Sequence, residues 1–258
     1  MSINKLIKEG ILHFTLIDPD RQTLEELEHR VKVCNQYGTD AFMVGGSSTF
    51  SQQLLDKTVK TIKKAVDLPV ILFPNSAAAL SKYADYIFFM SLLNTDDPLF
   101  LIKEQVLAAP FIEKTSLCPI SMAYIVISTS RQPTAIERRV KLDIIRHDDT
   151  KKILDYALAA QYFGMSCVYL EAGSGADNPV PPSIIKAVKN KINIPLIVGG
   201  GIRNPEQAKD IADAGANVLV TGTIIEQNLP ILKSIINVIK TAQPKKQLKQ
   251  CPSKFLAI

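Results

Sequence analysis

No stretch of the 258 residues is apolar for long enough to cross a bilayer. Apolar runs such as Tyr86 to Met90 and Ile194 to Val198 are strand-sized, well short of the roughly 20 residues a membrane helix needs. The opening MSINKLIKEGILHF lacks a signal-peptide layout, because its apolar part is short and no small-residue cleavage site follows, so a cytoplasmic location is expected. Long polar tracts and linkers are missing too, and nothing divides the chain internally. Cysteine is scarce: Cys34, Cys118, Cys167 and Cys251 show no metal-like or redox spacing, and the first three read as buried apolar thiols. The three histidines, His13, His29 and His147, are scattered, and none has a Cys or Ser partner that would make a nucleophile visible. A strong charge excess is lacking as well. Of the formal +5, Lys245, Lys246, Lys249 and Lys254 lie in the last 14 residues, which hold no acid; without them 26 basic residues face 25 acidic ones. A neutral body with a basic tail argues against a nucleic-acid partner. It predicts a globular domain over 1–242 and a solvated tail over 243–258, with a phosphate or membrane-surface contact as the tail's alternative role.

What is present is alternation. Short apolar, β-rich runs recur at 12–17, 41–45, 69–73, 86–91, 121–127, 166–170, 195–199 and 217–222. Between most of them lie segments with helical period. LEELEHRVKVCNQYG places Leu24, Leu27, Val31 and Cys34 on one face and ends in Gly38, a C-cap glycine. TVKTIKKAV, KKILDYALAAQYFG, IIKAVKN, PEQAKDIADAG and LPILKSIINVIK read the same way, with Asn204-Pro205 and Gly215 as start and stop of the seventh helix. Continuous apolar strands alternating with helices imply a parallel sheet covered on its outside, and eight units in this length imply an α/β fold of one (β/α)8 TIM barrel. Only PNSAAALSKYAD separates Phe73 from Tyr86, so the third helix is short or missing. A long insert, STSRQPTAIERRVKLDIIRHDD, precedes a helix starting near Asp149; it reads as a lid or groove wall, with an oligomer contact as the alternative.

Three Gly-rich turns follow the last three strands: YLEAGSGA (169–176), VGGGI (198–202) and TGT (221–223). Glycine lets backbone amides converge on an anion, and barrels commonly hold phosphate at these loops. Across the mouth, Asp18 and Asp20 of LIDPD end strand one and Ser47 of VGGSS ends strand two. A lone carboxylate with a hydroxyl neighbour suits Mg2+, which takes remaining ligands from water and substrate phosphates; alternatively Asp-Pro-Asp shapes a turn and caps the next helix. Two anion-binding features facing each other fit two phosphorylated substrates, or one bearing a diphosphate.

LIDPD, MVGGSS, YLEAGSGA with its trailing PV, PLIVGGGIR and VTGT together resemble geranylgeranylglyceryl phosphate synthases, in order and spacing, from about Leu12 to Asn228. The resemblance implies an enzyme that transfers a geranylgeranyl group from geranylgeranyl diphosphate to the C3 hydroxyl of sn-glycerol 1-phosphate. It uses Mg2+ and forms the first ether bond of archaeal membrane lipids. Carried over, Asp18 and Ser47 are the Mg2+ ligands. Tyr169, Leu170, Glu171, Ala172, Gly173, Ser174, Gly175, Gly200, Gly201, Gly222 and Thr223 bind glycerol phosphate. Glu171 and Tyr169 are the catalytic pair, with Glu171 as base or orienting acceptor. FPNSAAALSKYADYIFFMSLLN resembles the wall of a prenyl groove. A homo-oligomer and a peripheral membrane contact for the lipid product are further implied. The sequence departs from the family at Asn75, often Gly, at LLNTDD, and at Leu16, sometimes Lys, which bears on the prenyl length accepted. The other reading, a sugar-phosphate isomerase or lyase on the same barrel, would need a catalytic Lys or Asp pair inside the barrel, and no strand carries a Lys.

Overall fold

The computed structural model describes residues 10–46 and 50–242. Ser47 and the basic tail at 243–258 lie outside these described residues. Eight parallel strands close on themselves in chain order: β1 (Leu12–Ile17), β2 (Ala41–Gly45), β3 (Val70–Phe73), β4 (Tyr86–Leu92), β5 (Cys118–Val126), β6 (Cys167–Glu171), β7 (Leu196–Gly199) and β8 (Val218–Thr221). The last strand pairs with the first through Leu12 to Thr15 against Val218 to Thr221. The TIM barrel is therefore complete. Strand bounds lie within a residue or so of the expected ones, except that β5 begins earlier, at Cys118.

Alternation along each strand sorts side chains into two cores. Phe14, Met43, Ile71, Phe88, Met122, Tyr169, Ile197 and Val220 fill the barrel interior. Their neighbours, such as Ile17, Val44, Leu72, Ile125, Leu170 and Val198, face the helices. This two-sided burial is why the strands read as continuous apolar runs.

The outer layer consists of α1 (Leu24–Tyr37), α2 (Gln52–Ala65), α3 (Glu104–Glu113), α4 (Ala135–Arg139), α5 (Thr150–Tyr162), α6 (Pro182–Lys191), α7 (Pro205–Ala214), α8 (Thr223–Gln227) and α9 (Leu229–Thr241). Thr23 and Glu26 form a capping box on α1, and Gly38 ends it in the left-handed region. Leu27, Val31 and Cys34 are buried as expected, whereas Leu24, at the first helical position, stays exposed. Asn204 caps α7, Pro205 opens it and Gly215 closes it. Asp149 caps α5. Cys34 and Cys167 are buried, but Cys118, at the open start of β5, is only half-buried.

Among the described residues no helix follows β3, so the third βα unit is bridged by turns over 74–85. The segment after β4, which showed no clean helical period, forms a π-helical turn (Leu99–Lys103) running into α3. Its sequence is apolar on nearly every face and carries Pro110, and Val106 and Leu107 end up in solvent. Among the described residues, no helix is long and apolar enough to cross a membrane.

Candidate active site

The floor of the site is aromatic. β5 and β6 place Tyr124 opposite Tyr169 in register, and Phe73 from β3 completes the layer. The Phe73 and Tyr169 rings stack 5.6 Å apart, and Tyr124 meets Tyr169 edge-on at 5.4 Å. Two residues beyond Tyr169, on the same interior face, β6 ends in Glu171. Its carboxylate is buried. The Gly173 N–H donates to Oε1 at 2.6 Å, and the hydroxyls of Tyr169 and Tyr124 donate to the same group. Burial pushes the Glu171 carboxyl above the ordinary carboxylate range, and the three hydrogen bonds pull it partly back. Burial, with the Glu171 charge alongside, holds both phenols well above their usual value, so they remain neutral donors.

Above this floor the backbone closes in. Gly200 has φ +83°, and a Cβ there would stand 2.4 Å from Glu171 Oε1 and 2.7 Å from the Gly173 amide. Only glycine allows β7 to turn so close to the carboxylate. Ser174, Gly175, Gly200, Gly201, Gly222 and Thr223 line one end of a continuous cavity with Glu171 and Tyr169. The structure thus brings the three Gly-rich turns together. It does not bring every residue of the first turn: Leu170 and Ala172 turn into the outer core, and Gly173 packs behind Glu171. A Cβ on Gly173 would meet Thr134 at 2.6 Å. Arg203, two residues past the GGG run, clamps this turn by donating to the Asp177 and Gly175 carbonyls at 2.9 and 3.3 Å.

Asp18 occupies the opposite rim. Among the described residues no donor reaches its buried Oδ1, which lies where a side chain on Gly46 would be. Burial and the nearby Glu226 and Asp20 charges raise its carboxyl to about 7. An orphaned carboxylate oxygen inside a cavity is a place for a cation. No group of three or more His, Cys, Asp or Glu that could hold a metal exists among the described residues. Asp20 points to solvent on the turn closed by the Arg21 N–H to the Asp18 carbonyl at 3.2 Å. Asn75 donates to the Gly46 carbonyl at 3.0 Å and so braces the β2 end of this rim.

From Asp18 the cavity continues as an apolar groove past Leu80, Ile87, Phe89 and Ala108. One wall is the helix-free segment after β3. The other is α3 and the insert, whose Ala135, Ile136 and Arg139 face the cavity. The insert is therefore a groove wall. Thr129 Oγ1 donates to the Asn178 carbonyl at 2.6 Å and the Asp177 N–H donates to Ser130 at 2.8 Å, tying it to the first Gly-rich turn. Tyr124, Arg139 and Glu226 are cavity or rim residues that no motif contained, and Arg203 entered only as the last residue of PLIVGGGIR. Only Arg203 had a signal, its place directly behind VGGGI.

The family model described as "PcrB family" matches residues 4–242. The chain belongs to this family. Among PcrB-family relatives, the geranylgeranylglyceryl phosphate synthases of Thermoplasma volcanium and Pyrococcus abyssi are 45% and 46% identical. They cover 93% and 90% of this chain and 95% and 91% of their own lengths. The solved structure of the Thermoplasma volcanium synthase superimposes with a TM-score of 0.89 at 44% identity, covering 95% of this chain and all of that one. The Thermoplasma acidophilum synthase, solved with its substrate sn-glycerol-1-phosphate, gives 0.88 at 40% identity over 93% of this chain and 99% of its own. A thiamine phosphate pyrophosphorylase from Pyrococcus furiosus, at 13% identity and a TM-score of 0.55, shares the fold alone.

Proposed function

We infer that this PcrB-family chain is a geranylgeranylglyceryl phosphate synthase, transferring the prenyl group of geranylgeranyl diphosphate to the C3 hydroxyl of sn-glycerol 1-phosphate. The carrying observation is one cavity with three parts in line: a glycine-lined anion cradle, a buried carboxylate, and an apolar groove with an orphaned acid at its entrance.

The chemistry follows from that order. The amides around Gly200, Gly201, Gly222 and Thr223, with Ser174 and Gly175, take the glycerol phosphate group. Glu171 then faces the glycerol end, fixed by Gly173, Tyr169 and Tyr124 so that a hydroxyl can be aimed at the allylic carbon within about 3.5 Å. The allylic C–O bond to the diphosphate breaks, the glycerol oxygen bonds to that carbon, and Glu171 accepts the hydroxyl proton. Asp18, together with Ser47, is suited to hold Mg2+. When bound, that ion neutralises charge on the departing diphosphate. The groove shields the prenyl chain from water, and Arg139 adds a positive charge to its wall. A catalytic lysine for the sugar-phosphate reading is missing from every strand. The exposed Leu101, Ile102, Val106 and Leu107 beside the groove support a homo-oligomer.

The test is incubation of the purified protein with labelled sn-glycerol 1-phosphate and a ladder of prenyl diphosphates, with Mg2+ and with chelator. Ether product with the geranylgeranyl donor, lost in chelator, is the expected result. No product with any donor would overturn the reading, a different preferred donor would correct the chain length alone, and full turnover in chelator would remove the metal.

A further inference from the structure

One buried polar cluster lies behind the cavity, reaching its lining only at Thr221, and plays no part in the mechanism above. His13, on the outward face of β1, is fully buried, and so is Thr15; Thr39 and Thr221 are nearly so. The imidazole touches two hydroxyls: Nδ1 lies 3.0 Å from Thr39 Oγ1, and Nε2 lies 2.9 Å from Thr221 Oγ1. Thr15 Oγ1 is 3.0 Å from the same Thr39 oxygen. Burial and the Lys240 charge hold the ring neutral, lowering its pKa to about 3, so one nitrogen donates and the other accepts. The Thr39 hydroxyl donates to the His13 carbonyl at 3.2 Å. It is then free to accept the Nδ1–H, which leaves Nε2 to accept the Thr221 hydroxyl.

Thr221 is the last residue of β8, immediately before Gly222 and Thr223. Its last registered pairing is with β1 alone. The β7 ladder stops at Gly199 opposite Val220, whereas β1 reaches one rung further, Thr15 opposite Thr221. The direction in which β8 leaves the barrel, and with it the aim of the third Gly-rich turn, is fixed by that last rung and by the hydroxyl held at His13. Burying an imidazole among three hydroxyls costs desolvation that an apolar core would avoid; an oriented cluster returns a defined geometry for it.

We propose that His13 is a positioning residue for glycerol phosphate: through Thr221 it sets the Gly222–Thr223 turn of the phosphate cradle. This rests on the synthase reading given above. Thr221→Val removes the hydroxyl and keeps the shape. Its affinity for sn-glycerol 1-phosphate, by calorimetry and as KM, should weaken about three- to tenfold, the span of one net hydrogen bond. The KM for the prenyl diphosphate should stay unchanged, and Thr221→Ser should retain wild-type values. Of two changes at the ring, His13→Gln keeps an acceptor at the reach of Nε2 and should retain affinity, whereas His13→Asn reaches only Thr39 and should lose it. Wild-type glycerol phosphate affinity in Thr221→Val, or equal weakening of both substrates, overturns the proposal. So does His13→Asn matching His13→Gln. If His13→Asn does not fold, Thr221→Val decides by itself. A wild-type protein that binds no glycerol phosphate would instead sink the underlying synthase reading.

Discussion

Glu171 is a carboxylate pulled in opposite directions. Burial favours its neutral form, and the Gly173 N–H and two phenols favour the charged one. A base must be ionised to accept a proton, so turnover should fall as pH drops through a value above the ordinary glutamate figure of 4.5. The linkage for stability runs the other way. A carboxyl whose folded pKa is raised binds its proton more tightly in the native state, so its contribution is most favourable at low pH and is lost as pH rises through the folded value. Glu171→Gln should therefore lose activity by roughly a hundredfold or more while its melting temperature at neutral pH holds or rises. Tyr124→Phe removes one donor to the charged form, so the acid limb of the wild-type rate profile should move to higher pH. The checks are kcat/KM against pH and thermal melts. An unmoved limb in the phenylalanine variant would detach Tyr124 from Glu171, and an active glutamine variant would remove Glu171 as base.

At the level of elements, the insert and the first Gly-rich turn behave as one piece. Thr134, which caps α4, sits against the Cα of Gly173, while Ser130 and Thr129 bond the loop beyond it. Gly173 has φ +101°, so a side chain there is strained before it meets Thr134. Gly173→Ala should cost about 1–3 kcal/mol of stability. It should also raise KM for both substrates, because displacing α4 moves Arg139 and Ile136 in the groove wall. Melting curves and two-substrate kinetics test this; a rise for glycerol phosphate alone would show that the insert does not follow the turn. The coupling was not readable in advance. STSRQPTAIERR has the composition of any long loop, and its contacts lie far away in the chain, at Gly173 to Asn178. The strands were readable because two-sided burial makes them unbroken apolar runs between Gly and Pro. The helix after β4 was not, since Leu99, Leu101, Ile102, Val106 and Leu107 put apolar residues on its solvent side and erase the period.

Across the whole molecule the proposed function divides two binding tasks between the halves of the barrel. The later strands, β6 to β8, gather the anion cradle, and the glycines that build it declare themselves in the sequence because few other residues tolerate such close backbone approach. The earlier half, from Asp18 through β4 and α3, builds the groove from Phe, Ile, Leu and Ala that look like any core residue. Asp18 reads in the sequence as a candidate cation ligand or a turn residue, and the fold adds that no donor among the described residues reaches its Oδ1, whereas Tyr124 is one more apolar letter in β5. Such a division predicts independence. Gly200→Ala puts a methyl 2.4 Å from Glu171 Oε1 and 2.7 Å from an amide, so KM for sn-glycerol 1-phosphate should rise on the order of tenfold, as charge-assisted bonds are lost. Ala108→Phe, at a nearly buried groove position, should leave that constant alone and shift preference toward a shorter prenyl diphosphate. The two positions follow different strands, β4 and β7, so the double variant should show both effects, multiplying within about twofold. Steady-state kinetics of the four proteins with two donors of different length settle it. If Ala108→Phe alone weakens glycerol phosphate binding, or the double variant departs severalfold from the product of the singles, the two halves are coupled through the aromatic floor of Phe73, Tyr124 and Tyr169.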